Sequence, residues 1–202
     1  MNICLKATVF FLLFFACCFL NSCTDYNEST PKPRGFPKVV YPEKNYQAFA
    51  APYCPFNFEK PAYAKIVQDT SFFGERPNHD CWFDLYIPAF DSRVHFTYYP
   101  IDAINTFDKL RSDEFRMANK HNIKATAIIE NPIRKPNGVS GMAFDIQGAV
   151  ASPFQLYLTD EKEHFLRGSL YFNTQAKPDS LAPVYDFVKR DIMHMVNTFE
   201  WN

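Results

Sequence analysis

The sequence predicts an α+β fold, with a single domain in which a mostly antiparallel sheet is covered by two helices. Several segments alternate apolar and polar residues with a period of two, which is typical of strands. Near the C-terminus, apolar residues recur every three or four positions, and only a helix aligns that spacing into one stripe. The connections between successive strands are short, which favours antiparallel pairing. A signal peptide and a short tether are expected before this domain.

The N-terminal segment has the features of a bacterial lipoprotein signal peptide. Lys6 precedes a run over residues 7–20 that is apolar apart from Thr8. A secretory signal carries about 7 to 15 such residues, whereas a membrane-spanning helix needs about 20. The sequence Leu-Asn-Ser-Cys at residues 20–23 resembles a lipobox. We therefore expect residues 1–22 to be the signal peptide and Cys23 to carry a covalent lipid; an uncleaved anchor or ordinary signal cleavage is the alternative.

Two cysteines remain for the domain once the signal peptide and Cys23 are set aside, namely Cys54 and Cys81. Oxidising compartments outside the cytoplasm favour a disulfide between them. Two buried free thiols are the alternative, since sequence spacing does not establish the distance between their Cα atoms. The absence of a Cys-x-x-Cys motif argues against a redox-active pair. His79 and Asp80 precede Cys81, but a zinc site needs a second spaced pair of ligands, so no metal is predicted.

The residues from Cys23 onward divide into a tether and a domain. Residues 23–35 are mostly polar and contain two prolines, which favours an extended tether. The single α+β domain is expected over residues 36–202. Prolines recur between residues 37 and 61, so strands in that part should be short, irregular or at a sheet edge.

The strands of the domain follow from alternating apolar residues and from turn sequences. Residues 81–87 and 93–98 are two such strands on either side of a turn-like segment, and they predict a hairpin. Four more strands are expected, separated by turns that include Asn131-Pro132. These strands are residues 124–129, 141–147, 154–158 and 165–172.

Two helices complete the predicted fold. Residues 102–121 place apolar side chains on one side, with Asp102 as a candidate N-cap. The C-terminal helix has the most regular spacing in the chain, with Asp179 or Ser180 as its N-cap and Pro183 in its first turn. Its apolar stripe consists of Leu181, Val184, Val188, Ile192, Met195 and Phe199.

Composition and motifs argue against several functional classes. A net charge of -1 and a pI near 6.5, with no basic stripe, make nucleic acid a poor partner. The five histidines are dispersed without metal-ligand spacing. The sequence has no nucleophile elbow, phosphate-binding glycine loop or dinucleotide fingerprint. No catalytic residue and no cofactor is therefore predicted, and the protein is not expected to be an enzyme.

Three features could carry binding chemistry, although each also has a structural explanation. Arg167, within a predicted strand, could bind a carboxylate bidentately, or could lie on an exposed sheet face and pair with a neighbour. Asp191 and His194 lie three residues apart on a helix and could interact, although a solvated pair is the more ordinary explanation. Aromatic residues such as Trp82 could form a stacking surface for glycan or protein, or could line the sheet and the core.

Several blocks of the sequence resemble the gliding motility lipoprotein GldD family of Bacteroidota, over essentially the whole chain after Cys23. The most specific blocks are Ser-Pro-Phe-Gln-Leu-Tyr-Leu-Thr-Asp at residues 152–160 and His-Phe-Leu-Arg-Gly-Ser-Leu-Tyr-Phe-Asn at residues 164–173. Further blocks lie at residues 30–36, 41–47, 56–64, 81–82, 94–99 and 198–201. The candidate interaction residues within these blocks are Arg34, Trp82, His164 and Arg167.

The resemblance implies a non-enzymatic lipoprotein of the cell envelope that is needed for gliding and for the type IX secretion machinery. Its partners would be other envelope proteins of that machinery and the membrane that holds its lipid. The outer membrane is favoured, with the domain outside the cytoplasm. The alternative is an envelope module that binds glycan or peptidoglycan through exposed aromatic residues such as Trp82.

Overall fold

The computed structural model describes residues 38–68, 77 and 79–202. This part of the chain contains two sheets and two α-helices, and its strands pair antiparallel. The predicted α+β fold class, with a mostly antiparallel sheet and two helices in one domain, is therefore confirmed. The expected signal peptide over residues 1–22, Cys23 and Arg34 lie outside the described residues.

The strands mostly follow one another along the chain, with one α-helix after β5 and a second after β9. In chain order the elements are β1 (Tyr46–Ala50), β2 (Phe56–Pro61), β3 (Lys65–Gln68), β4 (Trp82–Ile87), β5 (Ser92–Pro100), α1 (Phe107–Asn119), β6 (Ala125–Arg134), β7 (Ser140–Gly148), β8 (Phe154–Thr159), β9 (His164–Phe172), α2 (Pro178–Thr198) and β10 (Glu200–Trp201). The smaller sheet has the order β1-β2-β10, and the larger has the order β3-β4-β5-β9-β8-β7-β6. Within the described residues, neither α-helix combines the length and hydropathy of a membrane span.

Helix α1 begins later than its apolar spacing predicted. Its N-cap is Thr106, whose Oγ1 accepts a hydrogen bond from the backbone N–H of Lys109 at 3.4 Å. The predicted cap, Asp102, instead accepts hydrogen bonds from the backbone N–H groups of Ile104 and Asn105, at 2.7 and 2.6 Å. Asp102 therefore stabilises a turn before the helix. A short acidic side chain can form such a turn instead of capping a helix.

Helix α2 begins earlier than predicted and without the predicted cap. Pro178 opens the helix and Lys177 is its N-cap residue, with no side-chain hydrogen bond to the first turn. Proline suits a first helical position because its fixed φ is already helical and its missing N–H would have no partner there. Neither Asp179 nor Ser180 is therefore the N-cap, and Pro183 lies beyond the first turn.

Strand β6 continues through the segment that the sequence predicted to be a turn. Asn131 pairs with Ala143 and Pro132 pairs with Met142 in the ladder with β7. The proline is tolerated because β6 is an edge strand of the larger sheet, where the loss of one N–H donor costs little.

The central part of the larger sheet is covered on both faces, and each face has its own apolar core. One core joins the sheet to α2 and to the smaller sheet, and the other joins it to α1. Strand β8 contributes to both, because Leu156 and Leu158 belong to the first core whereas Tyr157 belongs to the second. As a result, all six residues of β8 are buried. The predicted stripe of α2 is buried from Val184 to Phe199, while Leu181 at its N-terminal end is only partly buried.

A disulfide joins the smaller sheet to the larger one. Cys54 lies between β1 and β2, Cys81 directly precedes β4, and their Cα atoms are 5.1 Å apart. Cys54 is 4% exposed and Cys81 is fully buried, which shields the bond from reductants. The location next to the aromatic core indicates a structural bridge.

We predict that the double replacement Cys54→Ala and Cys81→Ala lowers the free energy of unfolding by about 3 to 4 kcal/mol, because the bridge constrains a long loop of the unfolded chain. The two cysteines are 27 residues apart in sequence. Urea unfolding of the oxidised protein and of the variant measures the difference.

Thiol alkylation of the denatured, unreduced protein is the control for that prediction. Cys54 and Cys81 should resist alkylation until a reductant is added. Two freely alkylated thiols, or a variant as stable as the oxidised protein, would contradict the bridge.

Candidate functional site

A half-open groove of about 580 Å³ lies at the end of the larger sheet where β7 and β9 finish. One side of the groove is the short 3-10 turn that follows α1 (Lys120–Ile123), and another is the first part of α2. The loop between β7 and β8 also lines the groove. Its size falls within the range of about 300 to 1,000 Å³ that is common for binding sites.

The walls of the groove are mainly apolar. Small side chains leave the space open, and larger ones line it. The alanines are Ala149, Ala151, Ala176 and Ala182, and the larger apolar residues are Ile123, Ile146, Val150, Phe172 and Leu181. This lining suits apolar side chains or an alkyl group, and it offers no set of polar groups converging on one reacting atom.

Two large apolar side chains at the rim are exposed to solvent. Ile123 is 91% exposed and Tyr171 is 38% exposed. Both line the groove, so the apolar surface continues from the cavity onto the outside of the protein. Exposed apolar side chains at the rim of an apolar groove make this surface a candidate for contact with another molecule.

The polar groups on the α1 side of the groove are basic. Lys120 and Lys124 are exposed, and no ion pair joins either of them to another described residue. His121 lies between them along the chain, and its Nε2 is 3.0 Å from the side-chain amide nitrogen of Gln155. Burial lowers the pKa of His121, so its imidazole is neutral at neutral pH.

The acidic group of the groove, Asp145, is already paired. Tyr185 donates a hydrogen bond to Asp145 Oδ1 at 2.9 Å, and Lys189 forms an ion pair with Oδ2. Burial, together with this hydrogen bond and the carboxylate charge, raises the pKa of Tyr185, so the phenol remains a donor at neutral pH. The charge of Asp145 is therefore balanced from α2, and the mouth of the groove has a net positive charge.

A second polar cluster surrounds Asp191 on α2, and its members pair with one another and so stabilise the fold. Asp191 is 1% exposed and accepts hydrogen bonds from Tyr46, at 2.8 Å, and from Tyr63, and it forms an ion pair with Lys44. Burial and Asp191 raise the pKa of Tyr46 to about 12, so the tyrosine keeps its proton. The cluster ties the segment before β1 and the turn after β2 to α2.

The pair that the sequence suggested between Asp191 and His194 is not formed. His194 Nε2 lies 2.7 Å from Glu59 Oε2, and the imidazole stacks on the ring of Tyr46 at 3.7 Å between centroids. Asp191 points into the protein and is not part of a solvated surface pair. Their spacing places the two residues on neighbouring positions of α2, but each side chain pairs with residues outside the helix rather than with the other.

Arg167 pairs with a buried residue of the same chain. Its guanidinium forms an ion pair with Glu114 on α1, which is fully buried, and it lies 5.7 Å from the ring centroid of Tyr99. Burial raises the pKa of Glu114 to about 7, and the neighbouring positive charge of Arg167 opposes that shift. The pair fixes α1 to the sheet, so this arginine is engaged within the fold.

Trp82 and His164 also lie away from the groove. Trp82 is only 4% exposed, and its Nε1 donates a hydrogen bond to the carbonyl oxygen of Tyr98 at 2.9 Å. Trp82 therefore does not form an exposed stacking surface. Its ring packs edge-on against Tyr99, with centroids 5.6 Å apart, which agrees with the alternative that such aromatic residues line the sheet and the core. His164 is partly buried, lies 2.7 Å from the hydroxyl of Tyr98 and stacks on Trp201.

Sequence reasoning missed the groove, although one signal was present. Ile123 stands alone among polar residues in Lys-His-Asn-Ile-Lys at residues 120–124, between a predicted helix and a predicted strand. The other walls come together only through the meeting of β7, β9 and α2. Across the described ranges, no group of three or more His, Cys, Asp or Glu residues could hold a metal ion.

The family of the chain is established by sequence comparison. A family model described as gliding motility lipoprotein GldD matches residues 26–201. The chain belongs to the GldD family. It is therefore an envelope lipoprotein involved in gliding motility, in a family that is not a known family of enzymes. All the groove-lining residues lie within the matched range.

Two further comparisons add little to this assignment. No curated protein matches the sequence. Among solved structures, the solution structure of cyanobacterial PsbP (CyanoP) from Synechocystis sp. PCC 6803 is similar over 83% of this chain and 98% of that chain, with 14% identity and a TM-score of 0.48.

The Glu114–Arg167 pair generates a pH-dependent prediction. The change Arg167→Ala should cost about 3 to 5 kcal/mol at pH 8, because it leaves a buried carboxylate without a counter-charge. The cost should shrink at pH 5, where Glu114 is protonated in the folded protein. Urea unfolding at the two pH values measures the difference.

The sign of this dependence comes from the raised pKa of Glu114. The folded protein binds the Glu114 proton more tightly than the unfolded chain does. The resulting stabilisation of the folded state is therefore complete below about pH 4.5 and is lost as the pH rises through about 7. The change Glu114→Gln should remove the slope. The control Arg93→Ala breaks the partly exposed pair with Asp84 and should cost less than about 1 kcal/mol. An Arg167→Ala cost that is equal at pH 5 and pH 8 would contradict the assignment.

The Asp191 cluster generates a stability prediction. The change Asp191→Asn should lower the free energy of unfolding by about 3 kcal/mol, because it removes the charge that Lys44, Tyr46 and Tyr63 share in a buried site. Asp186, exposed on the same helix, supplies the matched control, since Asp186→Asn should change stability by less than about 0.5 kcal/mol. Equal effects of the two changes on the urea midpoint would refute the role given to Asp191.

Proposed function

We propose that this lipoprotein is a non-enzymatic accessory or assembly component of the gliding apparatus and of the type IX secretion machinery. In this proposal, residues 1–22 are removed, Cys23 carries the lipid, and residues 23–35 tether the domain of residues 36–202 to the outer membrane. The domain lies outside the cytoplasm and contacts other envelope proteins of the machinery.

The observation that carries the proposal is how the polar side chains of the domain are used. Two buried carboxylates, Glu114 and Asp191, and the partly buried Asp145 each pair with a cation or a phenol from another element, and so they fix the helices to the rest of the domain. The groove that Asp145 borders is mainly apolar, and apolar residues at its rim are exposed. Such a surface suits contact with another molecule, whereas catalysis requires an acid, base or nucleophile aimed at a common point.

A second candidate function is binding of glycan or peptidoglycan through exposed aromatic rings. Tyr41 and Tyr171 are 39% and 38% exposed, so rings are present at the surface. Trp82, the residue first considered for stacking, is buried. Sedimentation with purified peptidoglycan tests this candidate, and retention that is lost in Tyr171→Ala but kept in Tyr41→Ala would favour a glycan site at the groove.

The test of the proposed function is a clean deletion strain supplied with wild-type or altered copies of the gene. We expect deletion to abolish surface spreading and export of a type IX cargo protein. The wild-type copy should restore both, and Cys23→Ala should restore neither, because without the lipid the domain is not held at the membrane.

The control for the anchor is Cys18→Ala, which changes a cysteine of the apolar run and leaves the lipobox intact. Metabolic labelling with fatty acid should persist in Cys18→Ala and disappear in Cys23→Ala. Normal cargo export in the deletion strain would refute the secretion role, and continued labelling of Cys23→Ala would refute the anchor.

A further inference from the structure

We propose that the groove between the 3-10 turn after α1 and the start of α2 binds a segment of another envelope protein, one with bulky apolar side chains next to acidic residues. This inference rests on the proposed accessory role, since it assigns the surface through which that role is exercised.

The cavity sets the apolar part of the ligand. Its walls are formed by alanine and larger aliphatic side chains, and its volume of about 580 Å³ is enough for more than one bulky side chain. Ala182 on α2 matters for access, because it is exposed and its small side chain leaves the entrance wide. Burial of apolar surface in this space supplies the binding free energy.

The mouth of the groove sets the charge of the ligand. Lys120 and Lys124 are exposed, and neither forms an ion pair with a described residue. The nearby carboxylate of Asp145 is neutralised by Lys189. A partner with Asp or Glu beside its apolar residues therefore meets two available cations, which improves both association rate and specificity.

The exposed rim distinguishes a polypeptide from a small amphiphile. Ile123 lies between the two lysines in sequence, and 91% of its surface is in contact with solvent. Tyr171, from the end of β9, extends the apolar surface elsewhere on the rim. An alkyl chain would be contained in the cavity and would leave these side chains uncovered, whereas a protein segment covers cavity and rim together.

The experiment selects ligands without assuming their sequence. The lipidated protein, in nanodiscs of phosphatidylcholine, is the target for a phage library of random dodecapeptides, with empty nanodiscs used for depletion. We expect the enriched peptides to combine Leu, Ile, Phe or Trp with Asp or Glu. Their affinity should fall as salt is raised, because the charged contacts are exposed.

Variants then locate the binding site. Ala182→Trp fills the groove from an exposed position, and the double change Lys120→Glu and Lys124→Glu reverses the charge of its mouth. Each should weaken peptide binding by about ten-fold or more, equivalent to about 1.4 kcal/mol. Circular dichroism melting checks folding, and Lys120→Gln with Lys124→Gln replaces the reversal if it does not fold.

Matched controls carry the same changes elsewhere on the surface. Ala103→Trp adds a ring at an exposed alanine outside the groove, and Lys65→Glu with Lys162→Glu reverses two exposed lysines outside it. Both should bind the selected peptides as the wild type does.

Several results would overturn the inference. These are the absence of enrichment, enrichment of basic or purely polar peptides, and equal binding to Ala182→Trp. Dodecanoate that displaces every selected peptide, with no effect of Ile123→Ser on peptide affinity, would identify an acyl ligand instead. Ala182→Trp converting a dimer into a monomer in light scattering would identify a second copy as the occupant.

Failure here is distinguishable from failure of the proposed function. Loss of export in the deletion strain together with no groove-dependent peptide binding would leave the secretion role and remove the groove as its contact surface. Groove-dependent binding together with normal export in the deletion strain would keep the binding site and remove the secretion role.

Discussion

Burial of the centre of the larger sheet on both faces is the constraint on which the rest of the structure depends. Strand β8 has no exposed residue, so neither face of the sheet centre can be left to solvent. One helix must therefore cover each face, and each must be held in position by contacts that survive in a dry environment. Burial of apolar surface is not directional, whereas an ion pair or a hydrogen-bonded carboxylate requires its partners at defined positions.

Three carboxylates supply that specificity: Glu114 and Asp191 are buried, and Asp145 is partly buried. Glu114 fixes α1 through Arg167, while Asp145 and Asp191 fix α2 from the sheet and from the N-terminal part of the domain. Each carboxylate is costly to bury and each has partners that offset the cost. The groove is found where this coverage ends, at the last residues of β7 and β9.

Features that depend on the spacing of nearby residues could be predicted from the sequence, whereas features that depend on tertiary contacts could not. The hairpin of β4 and β5 and the stripe of α2 were readable because their periodicity is a property of consecutive residues. The turn predicted at Pro132 was wrong. A proline ends a central strand but is accepted in an edge strand, and the order of the whole sheet determines that β6 is an edge strand. The burial of Trp82 could not be predicted either, since alternation assigns a side chain to one face of a strand and does not reveal whether that position is covered.

Helix α2 has two roles. Mutations can separate them, because one role depends on its buried residues and the other on an exposed residue. Its inner side carries Asp191 and the apolar stripe, and changes there lower stability and hence the amount of folded protein in the cell. Its outer side near the N-terminus carries Ala182, which lines the groove and touches no core. A loss of gliding after a change at Asp191 is therefore ambiguous between stability and contact. A loss after a change at Ala182, with normal melting and normal protein amounts, assigns the effect to the groove itself, since an exposed wall residue can act there only through what it touches.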